Sequence, residues 1–168
     1  KDGLHRTRKS GAPFSKALGL KMEASEKQLI REYFKSVAKL QDANVIRSDK
    51  VLGDLGEWIC VKKYGLVIES SGRHPGYDGK INNEKVQVKV HNSPEGTNLS
   101  VGDPEKYNHL IVLIGPRSKL RIGSIDESFH SYRFTSSEVK SLMARRSGHY
   151  CAKGILTEKQ YESIEYKA

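Results

Sequence analysis

The chain has 168 residues, with 29 Lys and Arg against 20 Asp and Glu, so its formal net charge is +9 at pH 7. That length suits one domain able to bury a core, and charges of both signs run throughout it, which is not the composition of a disordered segment. Two cysteines, Cys60 and Cys151, are too few for a disulfide scaffold or a zinc knuckle and point to a reducing, cytoplasmic compartment.

The chain opens at Lys1 rather than Met, which predicts a missing or processed N-terminus, and no secretory signal pattern follows. Residues 1–24 carry Arg6, Arg8, Lys9, Lys16 and Lys21 among Gly, Ser and Pro13 with no clean period, which predicts a basic arm or linker before a single domain over 25–168. Ser25 with Gln28 has capping-box spacing, and Leu29, Tyr33, Phe34, Val37 and Leu40 recur at helical intervals, so a first helix is expected to end near Asn44. A second helix is expected from Ser48 or Asp49 to Tyr64, with Gly65 as its stop. Its apolar face is Val51, Leu52, Leu55, Trp58 and Ile59, while Gly53, Gly56 and Cys60 line a side of small residues that lets the helix approach a sheet.

The period then changes. Leu66–Glu69 reads as a short strand, residues 70–76 as a loop, and Tyr77–Ile81 as a strand that turns through Asn82-Asn83-Glu84. Lys85–Val90 alternates strictly, with Val86, Val88 and Val90 on one face and Gln87 and Lys89 on the other. After a polar loop at Asn92–Gly96 comes a weak strand at Asn98–Val101. His109–Ile114 contains Leu110–Ile114, the longest apolar run in the chain. At five residues it is a central, doubly covered strand and far short of the roughly 20 that span a bilayer. Lys119–Ile125 alternates and is expected to be a strand, Ser136–Arg146 a helix stopped by Gly148, and Thr157 with Gln160 the cap of a short terminal helix. The order predicts an α+β (α/β layered) fold, a mixed sheet flanked by helices.

Three pieces of this pattern carry chemistry. Asp78 opens a strand beside a solvent-accessible loop, Gln87-Val88-Lys89 follows on the next strand, and Glu57 stands on the preceding helix, on the side lined by small residues. Hydrolysis of a phosphodiester requires neutralisation of the charge that builds at phosphorus and activation of a water. A hard cation such as Mg²⁺ or Mn²⁺ does both through oxygen ligands. Asp78, the Gln87 side-chain oxygen and the Val88 carbonyl are the expected ligands. Lys89 is expected to orient or deprotonate the water or to stabilise developing charge, and Glu57 to act through a metal-bound water or to hold Lys89.

The run Gly-Tyr-Asp-Gly at 76–79 followed by Val-Gln-Val-Lys at 86–89 resembles the PD-(D/E)XK nuclease superfamily, over roughly residues 48–126. Asp78, Gln87, Lys89 and Glu57 match its motif positions. Two departures stand out: Pro75 precedes Asp78 by three residues rather than one, and Gln87 replaces the usual carboxylate, removing one negative charge from the site. The resemblance implies a restriction-endonuclease-like fold and a metal-dependent endonuclease acting on DNA, of restriction type and homodimeric if both strands are cut. The alternative is a non-catalytic DNA-binding or assembly module on the same fold. Residues expected to contact DNA are His74, His91, Asn92 and Ser93 around the site, and the basic pairs Lys62-Lys63 and Arg145-Arg146. The positive charge is then expected to surround a small acidic pocket at Glu57 and Asp78 rather than to be uniform.

Overall fold

The structure, a computed structural model, describes residues 24–47, 50–69 and 76–166. The basic arm over residues 1–23, Ser48, Asp49 and His74 lie outside the described residues. The chain divides into two compact units, Lys1–Ala38 and Lys39–Ala168. Helix α1 spans Ala24–Asp42, and Gln28 Nε2 donates to Glu32 Oε1 at 2.7 Å one turn along it.

The second unit is an α+β fold. Helix α2 (Val51–Tyr64) ends where Gly65 takes a left-handed conformation, φ 68°, and returns its N–H to the Val61 carbonyl at 3.1 Å. The strands are β1 (Val67–Ile68), β2 (Gly79–Ile81), β3 (Glu84–His91), β4 (Asn98–Ser100), β5 (His109–Ile114), β6 (Ser128–Thr135), β7 (Ala144–Arg145), β8 (Gly148–Ala152) and β9 (Glu162–Glu165). Two short helices, α3 (Ser136–Leu142) and α4 (Lys153–Thr157), lie between them. The main sheet has the order β1-β2-β3-β5-β6-β9, and a second, small sheet has the order β4-β8-β7. All pairs are antiparallel except β3 with β5, where Val86 faces His109 and Lys89 faces Val112, so the main sheet is mixed.

Asn82 and Asn83 both take positive φ, 50° and 67°, which is the two-residue turn that closes a hairpin without splaying its strands. β5 is covered on both faces, as its unbroken apolar run predicts: residues Leu110 to Ile114 are all buried. Ile111 and Leu113 pack with Val86, Val88 and Phe129 beneath Ile59, Cys60 and Trp58 of α2. Leu110, Val112 and Ile114 pack on the opposite face with Tyr132, Phe134, Val139, Met143, Cys151 and Leu156. Gly56 sits where α2 touches the sheet, since a Cβ there would lie 2.1 Å from Val90 Cγ2. The expectation that small residues permit a close helix–sheet approach is met at this residue, whereas Leu52 is left 38% exposed.

Four sequence expectations change. Lys119–Ile125 is not a strand; it is a loop organised by Arg121, which is 5% exposed and donates to the carbonyls of Ser124 and Ser128 at 2.9 and 3.0 Å and to Asp126 Oδ1 at 2.5 Å. A buried guanidinium needs that many acceptors, and a straight strand cannot wrap them around it. The long strand β6 replaces it in the sheet. α3 stops at Leu142 because the chain turns through β7 into β8, and Gly148 (φ 137°) belongs to that hairpin rather than to a helix end. Thr157 ends α4 instead of capping a helix, and the terminal segment pairs as β9 against β6. A capping box does exist at α3, where Thr135 Oγ1 accepts from the Glu138 N–H at 3.2 Å and Glu138 Oε2 accepts from the Thr135 N–H at 2.7 Å.

Candidate active site at the β2–β3 edge

The site forms where β2 peels away from β3. Gly79 pairs with Val86, and the preceding Asp78 N–H also donates to the Val86 carbonyl at 2.9 Å, so two residues of one strand face one of the other. Such a bulge bends the strand and re-aims the side chain at its end. Beyond it, the Val88 N–H has lost a backbone partner on that side, and Asp78 Oδ2 accepts it at 2.7 Å. The Gln87 amide nitrogen donates to the same Oδ2 at 2.5 Å and to the Val88 carbonyl at 3.2 Å. Gln87 is 6% exposed and Lys89, two residues on along the same strand face, is half-buried.

Glu57 reaches this cluster from α2. Burial pushes its carboxyl above the usual range, the negative charge of Asp78 pushes it further, and Arg47 opposes both. Burial also raises Asp78, against the Val88 N–H and the charges of Lys89 and Arg47. Asp78 is thus the common member: Gln87 is hydrogen-bonded to it, the charge of Lys89 acts on it, and its own charge acts on Glu57. Cys60 lies behind it with no exposure, its thiol pushed up to about 12 by burial, and is inert.

Sequence reasoning missed two members. Arg47 ends the turn after α1; its guanidinium pairs with Glu57 Oε2, and its N–H donates to Asp54 Oδ2 at 2.7 Å. Asp54 is 9% exposed and stands one helical turn before Glu57. That i, i+3 pair of carboxylates on one helix face is the signal that could have found them, because like charges so placed call for a cation nearby.

The residues expected to contact DNA are scattered. His91 is not at the surface: it is 7% exposed, its Nδ1 and the Ser118 hydroxyl are hydrogen-bonded at 2.6 Å, and burial lowers its pKa. Asn92 holds the turn after β5 by accepting the Arg117 N–H at 2.8 Å. Ser93 is exposed, with its hydroxyl accepting the Gly96 N–H at 3.0 Å. Lys63 pairs with Glu162 of β9 at 2.7 Å, three strands across the sheet from β3, and Lys62 lies over the Trp58 ring. Arg145 and Arg146 are exposed at the β7–β8 hairpin of the small sheet. Tyr107 and Tyr132 are core residues, while Tyr77 and Tyr150 keep part of their surface.

A hard cation suits the donor set. Asp78 Oδ2 and the Val88 carbonyl converge on the positive N–H hydrogens of a single group, the Gln87 amide. Rotating that amide by half a turn presents its oxygen in place of the N–H group, giving an all-oxygen set of a carboxylate, an amide and a backbone carbonyl. Among the described residues no group of three or more His, Cys, Asp or Glu is placed to hold a metal, so a cation here depends on the amide and the carbonyl. No model of a protein family matches the chain, and comparison with curated proteins finds no match.

Proposed function

We propose that the protein is a metal-dependent nuclease of the PD-(D/E)XK type that hydrolyses phosphodiester bonds in DNA. The observation that carries this is the contact of Asp78 with Gln87 and Val88 across the β2–β3 edge, inside the electrostatic reach of Glu57 and Lys89. Asp78, Gln87, the Val88 carbonyl and Glu57 would hold Mg²⁺ or Mn²⁺, which supplies charge neutralisation at phosphorus and an activated water when bound. Asp78 is fixed by the Val88 N–H, so its second oxygen keeps one direction. Lys89 Nζ holds the attacking water or the oxygen on which negative charge develops. The excess of positive charge draws the polyanion in, cleavage of both strands calls for two copies of the chain, and the buried free thiols suit a cytoplasmic setting.

A second reading has its own observation. With Gln87 donating to Asp78 and Val88, and Arg47 paired with Glu57, the cluster is satisfied by the chain alone, as a non-catalytic DNA-binding or assembly module would be. Incubation of supercoiled plasmid with the protein and Mg²⁺ or Mn²⁺ separates the two. Nicked or linear product is expected, with a loss of about 100-fold or more in Asp78→Ala and in Lys89→Ala. Cleavage that persists in both variants overturns the site. Salt-sensitive DNA binding with no nicking under any divalent cation supports the module instead.

A further inference from the structure

We infer that Arg47 is the phosphate-binding residue of this site, held on Glu57 until a cation takes that carboxylate over. The inference rests on the nuclease reading and adds to it a substrate contact and an order of events. Three features single out Arg47. Its backbone is fixed, because its N–H donates to the buried Asp54 carboxylate at 2.7 Å and the turn before it is closed by the Val45 N–H on the Leu40 carbonyl at 2.9 Å. Its side chain is 51% exposed, whereas the Glu57 side chain it pairs with is only 18% exposed. It therefore covers the carboxylate from the solvent side, where a phosphodiester would arrive. Its charge also reaches past Glu57 and holds Asp78 lower than burial alone would.

A guanidinium fork binds carboxylate and phosphate through the same pair of parallel N–H donors, so moving from one to the other changes partner without changing geometry. A hard cation on Glu57 and Asp78 satisfies the carboxylate and repels the guanidinium. Arg47 is then free to turn about its fixed backbone toward an incoming phosphate. Cation and DNA accordingly favour each other's binding, and by reciprocity each strengthens the other to the same extent.

The test uses Mn²⁺ bound in solution, followed by its paramagnetic resonance signal, and a fluorescein-labelled DNA duplex titrated in Ca²⁺. Proteins are the full chain, Arg47→Ala, Arg47→Lys and Asp78→Ala. The Arg47 variants keep the backbone N–H to Asp54, so the turn survives them. Without DNA, Arg47→Ala is expected to bind Mn²⁺ several-fold more tightly than the unaltered chain, because Glu57 has lost its competitor. In Ca²⁺ the same variant is expected to bind the duplex about tenfold more weakly, with Arg47→Lys in between. Unchanged duplex affinity in Arg47→Ala, with Mn²⁺ binding intact and lost in Asp78→Ala, overturns the inference and leaves the nuclease reading standing. Failure of the unaltered chain to bind Mn²⁺, or equal binding by Asp78→Ala, overturns the nuclease reading itself.

Discussion

Gln87 and Asp78 stand nine positions apart in the chain and meet at 2.5 Å across the mouth of the β2–β3 hairpin, amide nitrogen to carboxylate oxygen. The amide does for the metal-free chain part of what a cation would do: it places positive hydrogen atoms between two oxygens that otherwise face each other. A carboxylate at position 87 would remove both donors and add a charge next to Asp78 and Glu57.

Gln87→Glu is therefore expected to lower thermal stability in EDTA and to show a larger rise in Tm on addition of Mg²⁺ than the unaltered chain. The reason is that repulsion among three carboxylates is relieved only by a cation. Differential scanning fluorimetry with and without Mg²⁺ gives both numbers. Equal Mg²⁺ effects in the two proteins would sink the assignment of Gln87 to the ligand set.

Gly56→Ala inserts a methyl group 2.1 Å from Val90 Cγ2, a stiff β-branched neighbour, with Leu113 and Val88 at 3.5 and 3.6 Å behind it. The helix must lift from the sheet, and a loss of about 1–3 kcal/mol in urea unfolding is expected. Val90→Ala makes room, so the double variant should recover part of that loss. Strict additivity of the two single effects would show that the contact does not limit the approach of α2.

His130 lies stacked on Tyr161, ring centroids 3.8 Å apart, with its Nδ1 buried and lacking a hydrogen-bond partner. Burial, and then the nearby Arg121 charge, lower its pKa, with Asp126 opposing. The unfolded chain therefore takes up the proton first, at about pH 6.5, and the stability due to this group is present above that pH and lost as the pH falls through the lower folded value. His130→Phe keeps the stacking and removes the titration. It is expected to be more stable at pH 7 by about 1 kcal/mol and to lose less Tm between about pH 7 and 5.5. His91 titrates in the same direction in both proteins, so their difference isolates His130. Parallel Tm–pH curves would refute the assignment.

The hydrogen bond between Asp78 and Gln87 was within reach of the sequence because these residues sit on regular parts of the chain. Strict alternation over Lys85–Val90 placed Gln87 and Lys89 on one face, and of the small residues of α2 Gly56 meets the sheet while Gly53 is exposed. β6 was not legible. Ser128, His130 and Ser131 are polar yet buried, so the Ser-Phe-His-Ser-Tyr-Arg-Phe-Thr run shows no clean apolar period. What lets them lie inside is tertiary: the Ser131 and Tyr64 hydroxyls are hydrogen-bonded at 2.8 Å, and Ser128 is tied to Arg121 and Asp126. Conversely, Lys119–Ile125 alternates yet wraps around a buried arginine, whose acceptors are in its own loop, at the end of β5 and at the start of β6, a partnership the alternation does not display. His91 and Asn92 looked like a polar loop at the site mouth for the same reason, and Ser118 and Arg117 are what draw them inward.

β9 closes the main sheet against β6, and Glu162 at its start receives both Lys63 and the Tyr64 hydroxyl of α2. During synthesis the helix that carries Glu57 is made about a hundred residues before the strand that anchors its far end. Until residues 162–165 leave the ribosome, β6 presents an open edge and Lys63 and Tyr64 at the end of α2 lack their carboxylate partner, although the helix already packs on β1, β3 and β5. A nascent chain therefore holds the acidic cluster before the far end of its helix is tied down, and a strand of four residues supplies that tie.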